Sequence, residues 1–224
     1  MSFKFLFILT PLLLTSCMDK QTPPIKPSEI YQPNSSVIYT PSQPQYLQTF
    51  WSHLQEGDKW TYFTQRAIAK YGQGLLNSTP RDVVEYCPRY PELTKIQRGD
   101  FWVDLISKLA YFESSYNPQT SYVELFYDNN GNPVVSRGLL QISKESANGA
   151  NYRCGIENER DLHDPKTNLE CGVRILNKWV TNDGVIAGKE GDKWRGAARY
   201  WSPFRDQAKK AKIADALASL PLCH

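Results

Sequence analysis

From Phe101 to Phe112 the apolar residues Phe101, Trp102, Leu105, Ile106, Leu109 and Phe112 fall at helical spacing and form one wide stripe. A helix carrying that much aromatic and aliphatic surface is stable only with other elements packed over it, so the chain has to wrap a core around it. The helix is expected to open at Asp100 and to end near Asn117, because the residue before Pro118 is pushed out of helical angles. Further helical stripes occur at Tyr46, Leu47, Phe50, Trp51 and Leu54, and at Phe63, Ala67, Ile68 and Tyr71. Leu169, Gly172, Val173, Leu176 and Val180 make another, and Trp194 to Tyr200 and Asp206 to Leu220 predict two more helices. Thr79-Pro80 and Asp164-Pro165 each place a capping residue before a proline at the first helical position. The first pair predicts a short helix through Val83 and Val84 that stops at Cys87-Pro88. One segment departs from the helical pattern. Ser121 to Val135 holds two short apolar runs around Asn130-Gly131, which is a hairpin signal. The expected fold is mainly α with a small β-hairpin.

The N-terminus carries different information. Phe5 to Leu14 is an apolar run preceded by Lys4 and followed by Leu14-Thr15-Ser16-Cys17. At about 1.5 Å per residue such a run cannot cross a hydrocarbon layer of about 30 Å, so it reads as a secretory signal over residues 1–16. Its Leu-Thr-Ser-Cys ending resembles the lipobox of bacterial lipoproteins, which implies lipidation of Cys17 and a membrane anchor. Met18 follows that cysteine where retention at the inner membrane would call for Asp, so by the same analogy the protein is expected at the outer membrane, facing the periplasm. The chain has five cysteines; setting Cys17 aside leaves Cys87, Cys154, Cys171 and Cys223, an even set suited to disulfides in an oxidising compartment. Four cysteines permit three pairings, of which Cys154 with Cys171 and Cys87 with Cys223 is the favoured one. Residues 17–45 are rich in proline, with Ser, Gln, Thr and Asn, and are expected to form an extended, disordered tether. A helical part at 46–99 and a second part at 100–224 would follow. With 41% apolar and 12% aromatic residues the remainder is globular, and a net charge of only +3 gives no basic footprint for nucleic acid.

The candidate for chemistry is Glu113, four residues after Leu109 and near the C-terminal end of the stripe-bearing helix. Partial burial and the negative end of the helix both favour its protonated form, which makes it a plausible proton donor near neutral pH. Glu113-Ser114-Ser115-Tyr116-Asn117-Pro118 is followed by Gly138-Leu139-Leu140-Gln141, by Asn168-Leu169-Glu170-Cys171-Gly172, and by Ala198-Arg199-Tyr200. This order resembles the lysozyme-like domain of the soluble-type lytic transglycosylases, across roughly Phe101 to Arg205.

The resemblance implies an α+β lysozyme-like fold and cleavage of peptidoglycan between N-acetylmuramic acid and N-acetylglucosamine. It implies that Glu113 protonates the glycosidic oxygen and then serves as base toward the muramyl C6 hydroxyl, closing a 1,6-anhydro ring without water. One carboxyl can perform both transfers if its pKa lies near the working pH, with the sugar's own N-acetyl group shielding the developing cation. Ser114 and Gln141 would help shape and polarise the cleft, Tyr200 would hold Glu113 by a hydrogen bond, and these three with Gly138 would make up the substrate-binding residues. The chain departs from the family pattern where Trp201 follows Tyr200 in place of Asn, and where Leu140 replaces Met. The stretch from Glu113 to Gln141 is also longer than usual, and the surplus maps onto the hairpin, read here as a cleft wall whose Tyr122, Phe126 and Tyr127 could stack on sugars. Two alternatives stand beside this reading. One is a muramidase using water, similar to goose-type lysozyme, with a base among Asp104, Glu124, Asp128 and Glu145; the other is a binding lipoprotein without catalysis. His53, His163 and His224 lack ligand spacing and no glycine-rich phosphate loop occurs, so neither a metal nor a cofactor is expected.

Overall fold

The computed structural model describes residues 47–149 and 152–224. The expected leader at 1–16, lipidated Cys17 and tether at 17–45 lie outside the described residues. Seven α-helices are described: α1 (Gly57–Tyr71), α2 (Gln73–Asn77), α3 (Val83–Tyr86), α4 (Lys95–Ser114), α5 (Lys144–Ala147), α6 (Pro165–Asp183) and α7 (Gln207–Ala218). They pack with a three-stranded antiparallel sheet, β1 (Ser121–Tyr127), β2 (Pro133–Arg137) and β3 (Ile142–Ser143), and a separate hairpin, β4 (Ala187–Glu190) with β5 (Lys193–Gly196).

Helix α4 is the centre. Phe101, Trp102, Leu105, Ile106 and Leu109 are fully covered, by α1 and α2 on one side and by α7 on another. Even the polar edge of Trp102 is satisfied, its Nε1 donating to Tyr90 Oη at 2.9 Å and to Leu75 O at 3.2 Å. The helix begins at Lys95, earlier than the stripe predicts, because Thr94 and Gln97 form a capping box. Thr94 Oγ accepts from Gln97 N, while Gln97 Oε1 accepts from Thr94 N. It ends at Ser114, before Asn117, because Ser115 and Tyr116 take left-handed φ values of 50° and 64°.

Helix α6 starts where Asp164-Pro165 predicts: Asp164 Oδ2 accepts from Thr167 N and Thr167 Oγ1, both at 2.8 Å, and Gly184 caps the other end at φ 66°. The hairpin predicted over Ser121 to Val135 is present, with Tyr122 opposite Ser136 and Val123 opposite Val135. Asp128 closes its turn by accepting from the N–H groups of Asn130 and Asn132.

Three expectations fail. Thr79-Pro80 does not open α3, which starts only at Val83, and Asp82 does not cap it. The carboxylate of Asp82 accepts instead from Ile186 N at 2.6 Å and Ala187 N at 3.0 Å, more than a hundred positions away. The stretch from Phe50 to Glu56 is a series of turns, with i to i−3 bonds such as Leu54 N to Trp51 O, although Trp51 itself is buried. Trp194 to Tyr200 is not a helix but strand β5 followed by a short 3-10 turn, Ala197–Arg199. There Gly196, at φ 58°, brings the chain so close to the Val185 and Ile186 carbonyls that a Cβ would collide with both. Two disulfides are formed. Cys87–Cys223 ties the C-terminus beside α3, and Cys154–Cys171 fastens the segment before α6 to that helix.

Candidate active site

Glu113 lies in the last turn of α4 and lines a cleft of about 710 Å³. One wall is strand β1 with Tyr122, Glu124 and Phe126; the floor and opposite wall bring Gln141, Ser143, Ser146, Tyr200, Trp201 and Arg205. Oε1 of Glu113 is covered and has no hydrogen-bond partner. Burial pushes the carboxyl up from 4.5 to about 8; Lys209 and Arg205 oppose that rise and Glu124 adds to it. At neutral pH this is a protonated acid facing a cleft.

The residues after Glu113 hold the cleft in shape. Ser114 is buried, and its hydroxyl lies within hydrogen-bond reach of Ala110 O at 3.1 Å and Leu139 O at 3.0 Å, which ties the end of α4 to the turn at residues 138–141. Gly138 adopts φ 78° and sits where a Cβ would strike Leu162 O and the amide of Asn168, so no other residue fits. Asn168, fully buried on α6, satisfies three backbone groups around that turn. Its Oδ1 accepts from Leu140 N at 2.9 Å, and its Nδ2 donates to Arg137 O and Leu162 O, each at 2.9 Å. Gly172, one turn further along α6, leaves the space that the Leu140 side chain fills. The Gly-Leu-Leu-Gln block and the Asn-x-x-x-Gly helix therefore form one packed unit that fixes the turn bearing Gln141. That residue takes a left-handed φ of 46°. Its Nε2 donates to Gly138 O at 2.8 Å and Thr120 O at 3.1 Å, leaving a buried Oε1 with no partner. Held this way, the amide oxygen is a covered acceptor without a donor at the floor of the cleft.

Three expectations need correction here. Tyr200 was expected to hold Glu113, but its hydroxyl lies 2.6 Å from Ser146 Oγ, and Ser146 in turn lies 2.9 Å from Ser143 Oγ. Ser114 was expected to shape and polarise the cleft; it ties the end of α4 to the turn at residues 138–141, but its hydroxyl is engaged with backbone carbonyls and it does not line the cavity. Gly138 likewise acts on the backbone. Trp201, where the family pattern has Asn, is buried and donates through Nε1 to Leu140 O at 3.0 Å, closing the same turn from the other side. Ser143 and Ser146 were not singled out from sequence; the signal available was Ser143 as N-cap of α5, where it accepts from Ser146 N. Of the four acidic candidates for a base, Glu124 and Glu145 line the cleft, Asp104 is buried in the core, and Asp128 is spent on the hairpin turn. Among the described residues, no group of three His, Cys, Asp or Glu side chains is placed to hold a metal ion.

The position of Tyr200 makes a small effect testable. Tyr200→Phe removes one hydrogen bond and leaves Ser146 with Ser143, so a stability loss of about 1 kcal/mol is expected. The alkaline limb of the pH–rate profile should stay in place. A shift of that limb would mean that Tyr200 reaches Glu113 during turnover.

Residues 93–200 match the family model described as the transglycosylase SLT domain. The solved structure of Bd0314 DslA, wild-type form 2, superposes with a TM-score of 0.75 at 42% identity, covering 79% of this chain and 98% of that one. Two further structures of DslA, each with one glutamate replaced by glutamine, superpose with a TM-score of 0.75 at 41% identity, covering 79% of this chain and 97% of theirs. No curated protein matches.

Proposed function

The chain belongs to the family of SLT transglycosylase domains, and we propose that it is a peptidoglycan lytic transglycosylase in which Glu113 first donates and then removes a proton. The observation that carries this reading is the covered, unpaired Oε1 of Glu113 in a cleft, on a carboxyl raised to about 8 by burial. In the first step the carboxyl proton passes to the glycosidic oxygen as the bond to the muramyl C1 breaks. The carboxylate left behind is poorly solvated and is therefore a better base than a carboxylate in water. It takes the proton of the muramyl C6 hydroxyl while O6 bonds to C1, which closes the anhydro ring and restores the acid. Gln141 lines the same cleft, its amide fixed by bonds to Gly138 O and Thr120 O. A secretory leader and a lipidated Cys17 would deliver this domain to the cell envelope, where its substrate lies.

A hydrolytic reading has one specific support. Glu124 lines the cleft with Glu113 and contributes to its raised pKa, so a second carboxyl is available to activate water. The two glutamates replaced in the DslA variants are eleven positions apart, as Glu113 and Glu124 are here. Mass spectrometry of digested sacculi separates the two. The transglycosylase yields 1,6-anhydro ends, and its Glu124→Gln variant still cleaves. Reducing ends, with cleavage lost in Glu124→Gln, would make the enzyme a muramidase.

A further inference from the structure

Strand β1 carries more exposed apolar surface than any other element described. Tyr122 is 55% exposed, Phe126 58% and Leu125 93%, on a strand at the edge of its sheet. Side chains of a strand alternate between its faces, and the alternation divides this surface into two. Tyr122, Glu124 and Phe126 line the cleft that holds Glu113, whereas Val123, Leu125 and Tyr127 do not. The cleft-lining face is anchored. Glu124 accepts from Ser136 Oγ at 2.6 Å across the strand pair, and Arg137 at the base of β2 donates to Glu159 at 2.7 Å. His163 Nδ1 lies 2.8 Å from Pro118 O, just ahead of β1. The strand that bears the two rings is thus tied to the domain through Glu124 and through the segments on either side of it.

We propose that Tyr122 and Phe126 form a two-ring platform on which sugar rings of a glycan strand stack beside the scissile bond, so that the hairpin selects extended strands over short fragments. This rests on the reading of the substrate as a peptidoglycan glycan. Pyranose rings present flat C–H faces that an aromatic ring covers without stripping their hydroxyls of water, and a ring with two rotatable bonds is ordered at little entropic loss. Four residues along a strand span about 13 Å, so the two rings reach different sugars of one strand. The rings cover sugar C–H faces and touch none of the bonds that break or form, so their contribution is to binding and not to the chemical step.

The test compares wild type with the double variant Tyr122→Ala/Phe126→Ala on polymeric glycan strands freed of peptide and on a tetrasaccharide of the same repeat. Leu125→Ala, on the other face of the strand, is the control. Expected for the double variant is a KM on polymer raised roughly tenfold with kcat little changed, and a smaller rise in KM on the tetrasaccharide, which offers fewer sugars to the two rings. Leu125→Ala should match wild type on both. An unchanged KM on polymer overturns the platform, and so does an equal change in Leu125→Ala, which would assign the effect to hairpin folding. Co-sedimentation with intact sacculi reads the platform without any cleavage. Wild type that binds but cuts nothing would defeat the catalytic reading alone, with the double variant's weaker binding still supporting the platform. Equal binding by both proteins would defeat the platform alone.

Discussion

Glu113→Gln is expected to lower cleavage of sacculi by about 10²–10⁴-fold while leaving the fold intact, since glutamine keeps the shape of the side chain and removes only its titrating proton. The same substitution should make the protein more stable at neutral and alkaline pH. In the native state the Glu113 carboxyl is raised from 4.5 to about 8, so the folded protein holds a proton that the unfolded chain has already released. A group of this kind contributes its full stability below about pH 4.5 and loses it progressively as pH rises to about 8. Glutamine has no such loss. The stability difference in favour of the variant should therefore open above pH 4.5 and level off beyond about pH 8, reaching on the order of a few kcal/mol. Urea denaturation at pH 5, 7 and 9 measures it, and the wild-type rate should fall above about pH 8 as the acid form is depleted. A variant with full activity, or one whose stability tracks that of wild type across this range, would remove Glu113 from the buried acid role.

Asn168→Ala is expected to be the most damaging substitution outside the cleft. The amide bonds one N–H and two carbonyls, at Leu140, Arg137 and Leu162, and binds together three segments around the turn. Each orphaned buried group costs about 1–3 kcal/mol, so a loss of about 3 kcal/mol or more is expected, lowering Tm by roughly 6 °C or more for a domain of this size. Because the turn it supports presents Gln141, activity should fall at temperatures where the variant is still folded. Asn168→Asp is the informative companion. It can accept from Leu140 N but cannot donate to the two carbonyls, so it should be no better than alanine. A melting temperature within a degree or two of wild type for Asn168→Ala would show that water or a shifted backbone satisfies these groups.

Much of the scaffold was readable without coordinates because its signals are local. Asp164-Pro165 opens α6 by bonding residues within the first turn, and Asp128 with Asn130-Gly131 closes the hairpin by bonding its own neighbours. Such bonds form between groups a few positions apart whatever the rest of the chain does. The apolar stripe of α4 likewise required a surrounding core before any partner was known. Where the expectation failed, a distant group had won. Asp82 was free to cap its own helix, yet it bonds the start of β4; Trp194 to Tyr200 has helical spacing, yet pairing with Ala187 to Glu190 draws its first half into a strand.

The amino-acid order alone established a helix that needs a core, a hairpin inserted after it, an acid near that helix's end, and the family pattern that gives the acid company. What it could not decide is which side chains meet across the cleft. Tyr200 pairs with Ser146 across 54 positions, and Trp201 with Leu140 across 61. Glu113 is left without a partner beside Glu124. A hydrogen bond or a desolvated carboxyl depends on distances set by packing of several elements at once, and no local pattern encodes them.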